Sequence, residues 1–267
     1  MQTRPSFRTI VLSDLHLGTS GSKAKEVTDF LKTYSCQKLI LNGDIIDGWQ
    51  LRQYGTWKKK HTAFFKAVLK QIIHYDTKVI YLRGNHDDFL DQIMPMKVGK
   101  NFSIQKDYVL KSNNKQYYIT HGDVFDSITA QMKWLAHLGD VGYTFLLWLN
   151  KQYNQYRTWR GLPYYSLSQQ VKQRIKLAVN YVSDFEEKLT ELARARGCDG
   201  VICGHIHQAA IRQFGEVTYM NSGDWVESLS ALVEDYEGHW SLIYYASDLE
   251  LAPRKEKQES VTSLTSR

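Results

Sequence analysis

The chain has 267 residues, with 34 lysines and arginines against 28 acidic residues, 43% hydrophobic and 13% aromatic side chains, and only 4 prolines. That length suits one large α/β domain or two small ones, and the composition excludes collagen-like, mucin-like and largely disordered chains. Three cysteines far apart in sequence, Cys36, Cys198 and Cys203, make no disulfide framework and point to a reducing, cytoplasmic compartment.

The opening MQTRPSFRTIVLSDLHLG has no long apolar run before its first acidic residue, so no signal peptide is expected. Short apolar or β-branched runs then recur at Thr9–Leu12, Lys38–Leu41, Lys78–Leu82, Tyr117–Thr120 and Gly200–Cys203. Each is four or five residues long and bounded by Gly, Asp or Asn, the pattern of buried strands. Helical patterns lie between them, at Ala24 to Tyr34 and at Thr62 to Tyr75. The second places Phe64, Phe65, Val68, Leu69, Ile72 and Ile73 on a shared face. Strand alternating with helix implies an α/β sheet domain. From about Phe125 to Arg196 the chain reads as helical and interrupts the strands. This divides it into a core of residues 1–124 and 197–252 and a helical insertion of residues 125–196. The longest apolar stretch, Val141 to Leu149, is too short to span a bilayer, which implies a soluble or peripherally bound protein. Later runs at Val217–Met220, Ala231–Glu234 and Trp240–Tyr245 have no helix between them and are expected to be antiparallel. Residues 253–267 are polar and read as a disordered tail.

The basic excess is local. Between Asp140 and Asp184 there is no acidic residue, but there are six basic ones: Lys151, Arg157, Arg160, Lys172, Arg174 and Lys176. Aromatic residues such as Tyr153, Tyr156 and Trp159 are interleaved with them. Such a patch calls for an anionic partner: a phosphate, a lipid surface or, as the lesser expectation, nucleic acid.

Five short motifs stand where strands end: DLHLG (Asp14, His16), GDIID (Asp44), GNHD (Asn85, His86), HGD (His121) and GHIH (His205, His207). Ligand sites in open α/β sheets form beyond the carboxyl ends of strands, so all five can converge. Carboxylates and imidazoles are the donors that manganese, iron and zinc take, and a carboxylate can bridge two ions. D-x-H and H-x-H would place two side chains on one face of an extended segment, and a neighbouring glycine would let the backbone turn beneath them. Two ions roughly 3.5–4 Å apart can orient a hydroxide for in-line attack on phosphorus and stabilise the leaving oxygen. Each motif alone is weak, but five in this order leave little to chance. The other histidines, His61, His74, His137 and His239, read as surface or internally satisfied residues.

This order of motifs resembles the calcineurin-like metallophosphoesterase family over the whole chain apart from the insertion and the tail. The resemblance implies a four-layer α/β/β/α sandwich of two mixed sheets, with the helical insertion acting as a cap. It implies two divalent ions, manganese first, with iron or zinc not separated by ligand type. One ion would take Asp14, His16, Asp44 and His207. The other would take Asp44, Asn85, His121 and His205, with Asp44 bridging. His86 would bind the scissile phosphate and serve the leaving group. Asp47, Asp87 and Asp123 would either orient the imidazoles or cap turns. All seven ligands are present, unlike in scaffolds of this fold that have lost catalysis.

Within the family the chain looks most like the UDP-2,3-diacylglucosamine hydrolases of lipid A synthesis. The likeness rests on DLHL, on Trp49 in GDIIDGW, on the insertion after HGD and on NSGDWVES at Asn221 to Ser228. It implies a nucleotide-linked lipid substrate, a cytoplasmic enzyme in peripheral contact with the inner membrane, and Arg157, Arg160, Lys172 or Arg174 on the diphosphate. Those hydrolases typically read GNRD where this chain reads GNHD. The departure favours His86 as a catalytic residue, and it opens a second reading as a soluble phosphodiesterase or phosphatase acting on nucleotides, nucleic acid or another small phosphoester.

Overall fold

In a computed structural model, residues 4–125, 152–153, 155–161 and 167–245 are described, with backbone alone for residues 167–180. The first half runs β1 (Ser6–Leu12), α1 (Ala24–Thr33), β2 (Ser35–Asn42), α2 (Gly48–Tyr54), α3 (Lys59–Tyr75), β3 (Lys78–Leu82), β4 (Met96–Val98), β5 (Phe102–Gln105), β6 (Asp107–Ser112) and β7 (Lys115–Thr120). Helix α4 (Leu167–Ala195) leads into β8 (Gly200–Cys203), β9 (Ala210–Phe214), β10 (Val217–Asn221), β11 (Ser230–Glu234) and β12 (Trp240–Tyr244). Single 3-10 turns at Asp88–Gln92 and Asp123–Phe125 follow two of the motifs.

Among the described residues, twelve strands form two mixed sheets, one ordered β12-β11-β1-β2-β3-β5-β4 and the other β6-β7-β8-β10-β9. Period-two alternation assigns each strand's side chains to two cores. Ile10 and Leu12, Leu39 and Leu41, and Val79 and Tyr81 face outward to α1 and α3. Val11, Ile40, Ile80 and Leu82 face inward, against Leu110, Tyr117, Ile119, Ile202 and Met220 of the second sheet. Beyond that sheet, Tyr118, Val201, Cys203 and Tyr219 pack on Phe185, Leu189 and Ala193 of α4. Helix, sheet, sheet, helix is the four-layer order expected.

Three expectations change. Leu69 and Ile73 are 54% and 72% exposed, and the buried face of α3 is His61, Phe64, Ala67, Val68 and Gln71. The helix turns a polar Gln71 inward because its Nε2 donates to the C=O groups of Leu31 and Tyr34, at 2.7 and 2.8 Å, at the end of α1. The last turns of α4 belong to the second sheet's core. The core therefore takes in these residues rather than resuming at 197, because Phe185, Leu189 and Ala193 recur on one helical face and are buried. Strand β10 pairs antiparallel with β9 but parallel with β8, so only part of that end is antiparallel. All three cysteines are buried and unpaired. Among the described residues no helix is long and apolar enough to cross a membrane.

Candidate metal centre

The centre forms where loops leave the carboxyl ends of β1, β2, β3, β7 and β8. The loops after β1 and β2 keep a parallel pairing past the sheet: Asp14 N–H donates to Gly43 C=O at 3.1 Å and His16 N–H to Asp44 C=O at 2.9 Å. Beside Asp14, Trp225 N–H donates to its C=O at 3.1 Å, and Ser13 Oγ donates to Gly223 C=O at 2.9 Å. The NSGDW segment thus buttresses the first motif, a role its sequence did not disclose.

The ligand pairs do not converge by strand alternation. Asp14, His16, Asp44, His205 and His207 have φ of 54, 46, 52, 69 and 56°, so all five sit in left-handed turns beyond the strands. Five of the nine non-glycine residues with positive φ among those described are candidate ligands. This conformation costs on the order of 1–3 kcal/mol each and is held where surrounding structure over-determines it, as at functional sites. Two neighbouring glycines serve close approach instead. A Cβ on Gly84 would lie 2.3 Å from Asp44 Oδ1, and one on Gly204 would lie 2.5 Å from Asp14 Oδ2.

Asp44, 2% exposed, lies at the middle of the site. Its Oδ1 accepts the His86 N–H at 2.8 Å. Its Oδ2 faces three imidazoles, with Nε2 of His121, His16 and His86 at 3.4, 3.8 and 3.9 Å. Asp14 Oδ2 accepts the His205 N–H at 3.0 Å, and Oδ1 lies 3.2 Å from His207 Nε2. Donor atoms gather within 4.8 Å of one another in three triads: Asp14, His16 and His207; His16, Asp44 and His86; and Asp14, Asp44 and His121. His205 is in none of these triads; its ring packs 5.1 Å from that of His121.

The carboxylates and imidazoles of the site hold one another in their charged forms. Burial alone would depress His121, but Asp44 and Asp14 pull its pKa up to about 10. His207 rises to about 9 against its own burial, chiefly through Asp14. Burial would raise Asp14, yet His207 and His121 hold it down at about 2. Asp44 is likewise pushed well below the carboxylate range by His121, His16 and His86, against its burial.

Of the three flanking acids, Asp47 does both things expected of it. Its Oδ1 accepts Gln50 N–H at 2.8 Å and caps α2, while Oδ2 faces His16 Nδ1 at 3.3 Å and His86 Nδ1 at 3.1 Å. Asp87 serves the neighbouring loop instead. It accepts Ile45 N–H, Ile46 N–H and Tyr81 O–H at 3.1, 2.9 and 3.0 Å, and so holds the Asp44 loop. Burial and then Asp44 push its pKa up to about 7. Asp123 pairs with Arg83. Arg83, the residue before GNHD, is the partner that no motif marks in the sequence.

Trp49 lies over His86 with ring centroids 4.3 Å apart and is 45% exposed. Of the insertion's cations, Arg157 sets its guanidinium over the Tyr153 ring at 5.6 Å, and Arg160 is exposed. Lys172 and Arg174 lie on α4, with side chains outside the described residues.

A family model described as calcineurin-like phosphoesterase matches residues 7–209. No curated protein matches the sequence. Among solved structures, a novel archaeal phosphodiesterase is 13% identical with a TM-score of 0.41, covering 88% of this chain and 98% of that one. Vacuolar protein sorting 29 from Cryptosporidium parvum is 12% identical with a TM-score of 0.40, covering 88% and 94%. A conserved uncharacterized protein from Streptococcus pneumoniae TIGR4, a predicted phosphoesterase, is 11% identical with a TM-score of 0.37, covering 89% and 97%. The family match, and not these structures, carries the assignment.

Proposed function

The chain belongs to the calcineurin-like phosphoesterase family and is a hydrolase of phosphoesters, and we propose that it uses two divalent ions to cut the pyrophosphate of a nucleotide-linked lipid of the UDP-2,3-diacylglucosamine type. The observation that carries the two-ion reading is Asp44 Oδ2, turned toward three imidazole nitrogens at 3.4 to 3.9 Å. That is the placement a bridging carboxylate needs.

The donor set fits the ions. Asp14 Oδ1, His121 Nε2 and both amide atoms of Asn85 are buried without a hydrogen-bond partner, a costly state that a cation would relieve. His121 Nδ1–H donates to Asn42 C=O at 2.9 Å, which leaves Nε2 as the free donor. Asp14, His16, Asp44 and His207 would hold one ion, and Asp44, Asn85, His121 and His205 the other. When bound, the ions supply an activated water and neutralise charge at phosphorus; manganese heads the candidates and iron or zinc follow.

The remaining steps belong to side chains. Asp47 holds His86 at Nδ1, so Nε2 faces the Asp44 side of the site and can hand a proton to the leaving oxygen. Trp49 closes the ring's other face with an apolar plate at the mouth. Trp49, the NSGDWVES segment and the basic insertion support the lipid reading, with Arg157, Arg160, Lys172 or Arg174 on the diphosphate and the membrane as peripheral partner. His86 itself, in place of the arginine of those hydrolases, favours a second reading: a phosphodiesterase acting on soluble nucleotides.

Release of UMP from UDP-2,3-diacylglucosamine with added Mn²⁺, abolished in Asp44→Ala, is the expected result. No release alongside intact cleavage of bis(p-nitrophenyl) phosphate would discard the lipid substrate and keep the chemistry. Loss of neither activity in Asp44→Ala would discard the metal centre.

A further inference from the structure

Seven candidate ligands come from both sheets. Asp14, His16, Asp44 and Asn85 follow β1, β2 and β3 of the larger sheet, while His121, His205 and His207 follow β7 and β8 of the smaller one. Both ions would therefore be held across the seam, and the one assigned to Asn85 and His121 would depend on how the loops after β3 and β7 are fastened at the rim.

Arg83 lies at that seam. It stands two residues before Asn85, and its Nη1 donates to Asp123, two residues after His121. Both side chains are shielded, at 19% and 15% exposure. The rest of the guanidinium is committed to Asp91 in the 3-10 turn, with Nε to Oδ1 at 2.9 Å and Nη2 to Oδ2 at 3.1 Å. The Arg83 N–H donates to Gln105 C=O at 3.1 Å, which anchors the residue in its own sheet. A planar guanidinium gripped from two sides has one orientation, which a lysine's point charge would not reproduce. The Asp91 side chain is 51% exposed, so that arm adds little by itself. The Asp123 arm is the one that crosses the seam.

We propose that Arg83 is a positioning residue for the second ion, tying the loop that carries Asn85 to the loop that carries His121 across the two sheets. The inference rests on the two-ion reading above and extends it to a residue that touches neither ion nor substrate. An ion pair that served stability alone would change the melting temperature and leave metal uptake as it was.

The test is calorimetric titration of Mn²⁺ into EDTA-treated full-length protein, with melting temperatures measured alongside. Wild type takes up two ions. Arg83→Ala keeps one class of site and weakens the other by about 10-fold, the lower end of the loss that follows removal of a direct outer partner of a ligand, because Arg83 acts one contact further out. Asp123→Asn does the same, Arg83→Lys falls between, and Asp91→Asn stays within about twofold of wild type. Two undiminished sites in both Arg83→Ala and Asp123→Asn would overturn the proposal, as would equal weakening of both sites with a collapsed melting transition. Wild type binding fewer than two ions would refute the two-ion reading and the proposal with it.

Discussion

Asp47→Asn separates the two tasks that one carboxylate performs. Oδ1 accepts Gln50 N–H at 2.8 Å and caps α2, and asparagine caps a helix about as well as aspartate. Oδ2 faces both His16 Nδ1 and His86 Nδ1, at 3.3 and 3.1 Å. In the variant an amide NH₂ takes its place and cannot accept from either ring. Losing one outer partner of a metal-site imidazole costs about 10- to 100-fold. Two rings lose theirs here, so the upper end applies: about 100-fold in kcat/KM, or about 2.7 kcal/mol. The melting temperature should hardly move. Asp47→Ala loses the cap as well and should give up about 1 kcal/mol more, or about 2–4 °C. The assay is Mn²⁺-dependent cleavage of bis(p-nitrophenyl) phosphate beside thermal melts of both variants. Activity of Asp47→Asn within a few-fold of wild type, or a melt as low as that of Asp47→Ala, would refute the division of labour.

Gly84→Ala should abolish metal uptake measured by elemental analysis, because the new Cβ would lie 2.3 Å from Asp44 Oδ1 and 2.4 Å from its backbone N; uptake at the wild-type level would show that the loop can yield. Chelation should lower the melting temperature and Mn²⁺ should restore it, since a ligand at 100 times its Kd adds about 2.7 kcal/mol, on the order of 5–10 °C for a chain of this size. His61 is buried on α3, and burial followed by Lys60 and Lys58 depresses its pKa below 6.5, so the folded state resists a proton that the unfolded chain accepts. Its contribution is present above the unfolded value and lost as pH falls through 6.5 toward the folded one; in urea unfolding at pH 8 and pH 5.5, the stability gap between wild type and His61→Gln should narrow at the lower pH, and a constant gap would count against it. Phe185→Ala should cost about 3–5 kcal/mol in the same assay, because Phe185 is 2% exposed in the second sheet's core, and a loss under about 1 kcal/mol would return α4 to the insertion.

What the sequence made legible was the set of strand ends. A short apolar run with Asp, Asn or Gly within two residues of its end states where a strand delivers its loop, and the motifs at five such ends include His16, His86 and His121, whose rings face Asp44. The polar edges were not legible. Strand β9 carries Arg212 and Gln213 at exposed positions, and β4 is three residues long, so neither shows the apolar run of a central strand. The face of α3 departs from its apolar spacing for a related reason: Gln71 turns inward to serve carbonyls at the end of α1, and Leu69 and Ile73 lie toward solvent. In α4 the stripe Phe185, Leu189, Ala193 is visible at helical spacing, but periodicity does not say which sheet it covers.

The deepest gap concerns oxygens rather than residues. Asp47, Asp87 and Asp123 look alike beside their motifs, and in the fold one orients two imidazoles while capping a helix, one holds a backbone loop, and one crosses to the other sheet. Sequence spacing names carboxylates that lie near a site. Which donor each oxygen meets depends on contacts such as Arg83 to Asp123, which span forty residues and two sheets. Such contacts leave no periodic trace, because each is one pair formed once. A chain can therefore display its candidate ligands openly in sequence and conceal what holds them in place.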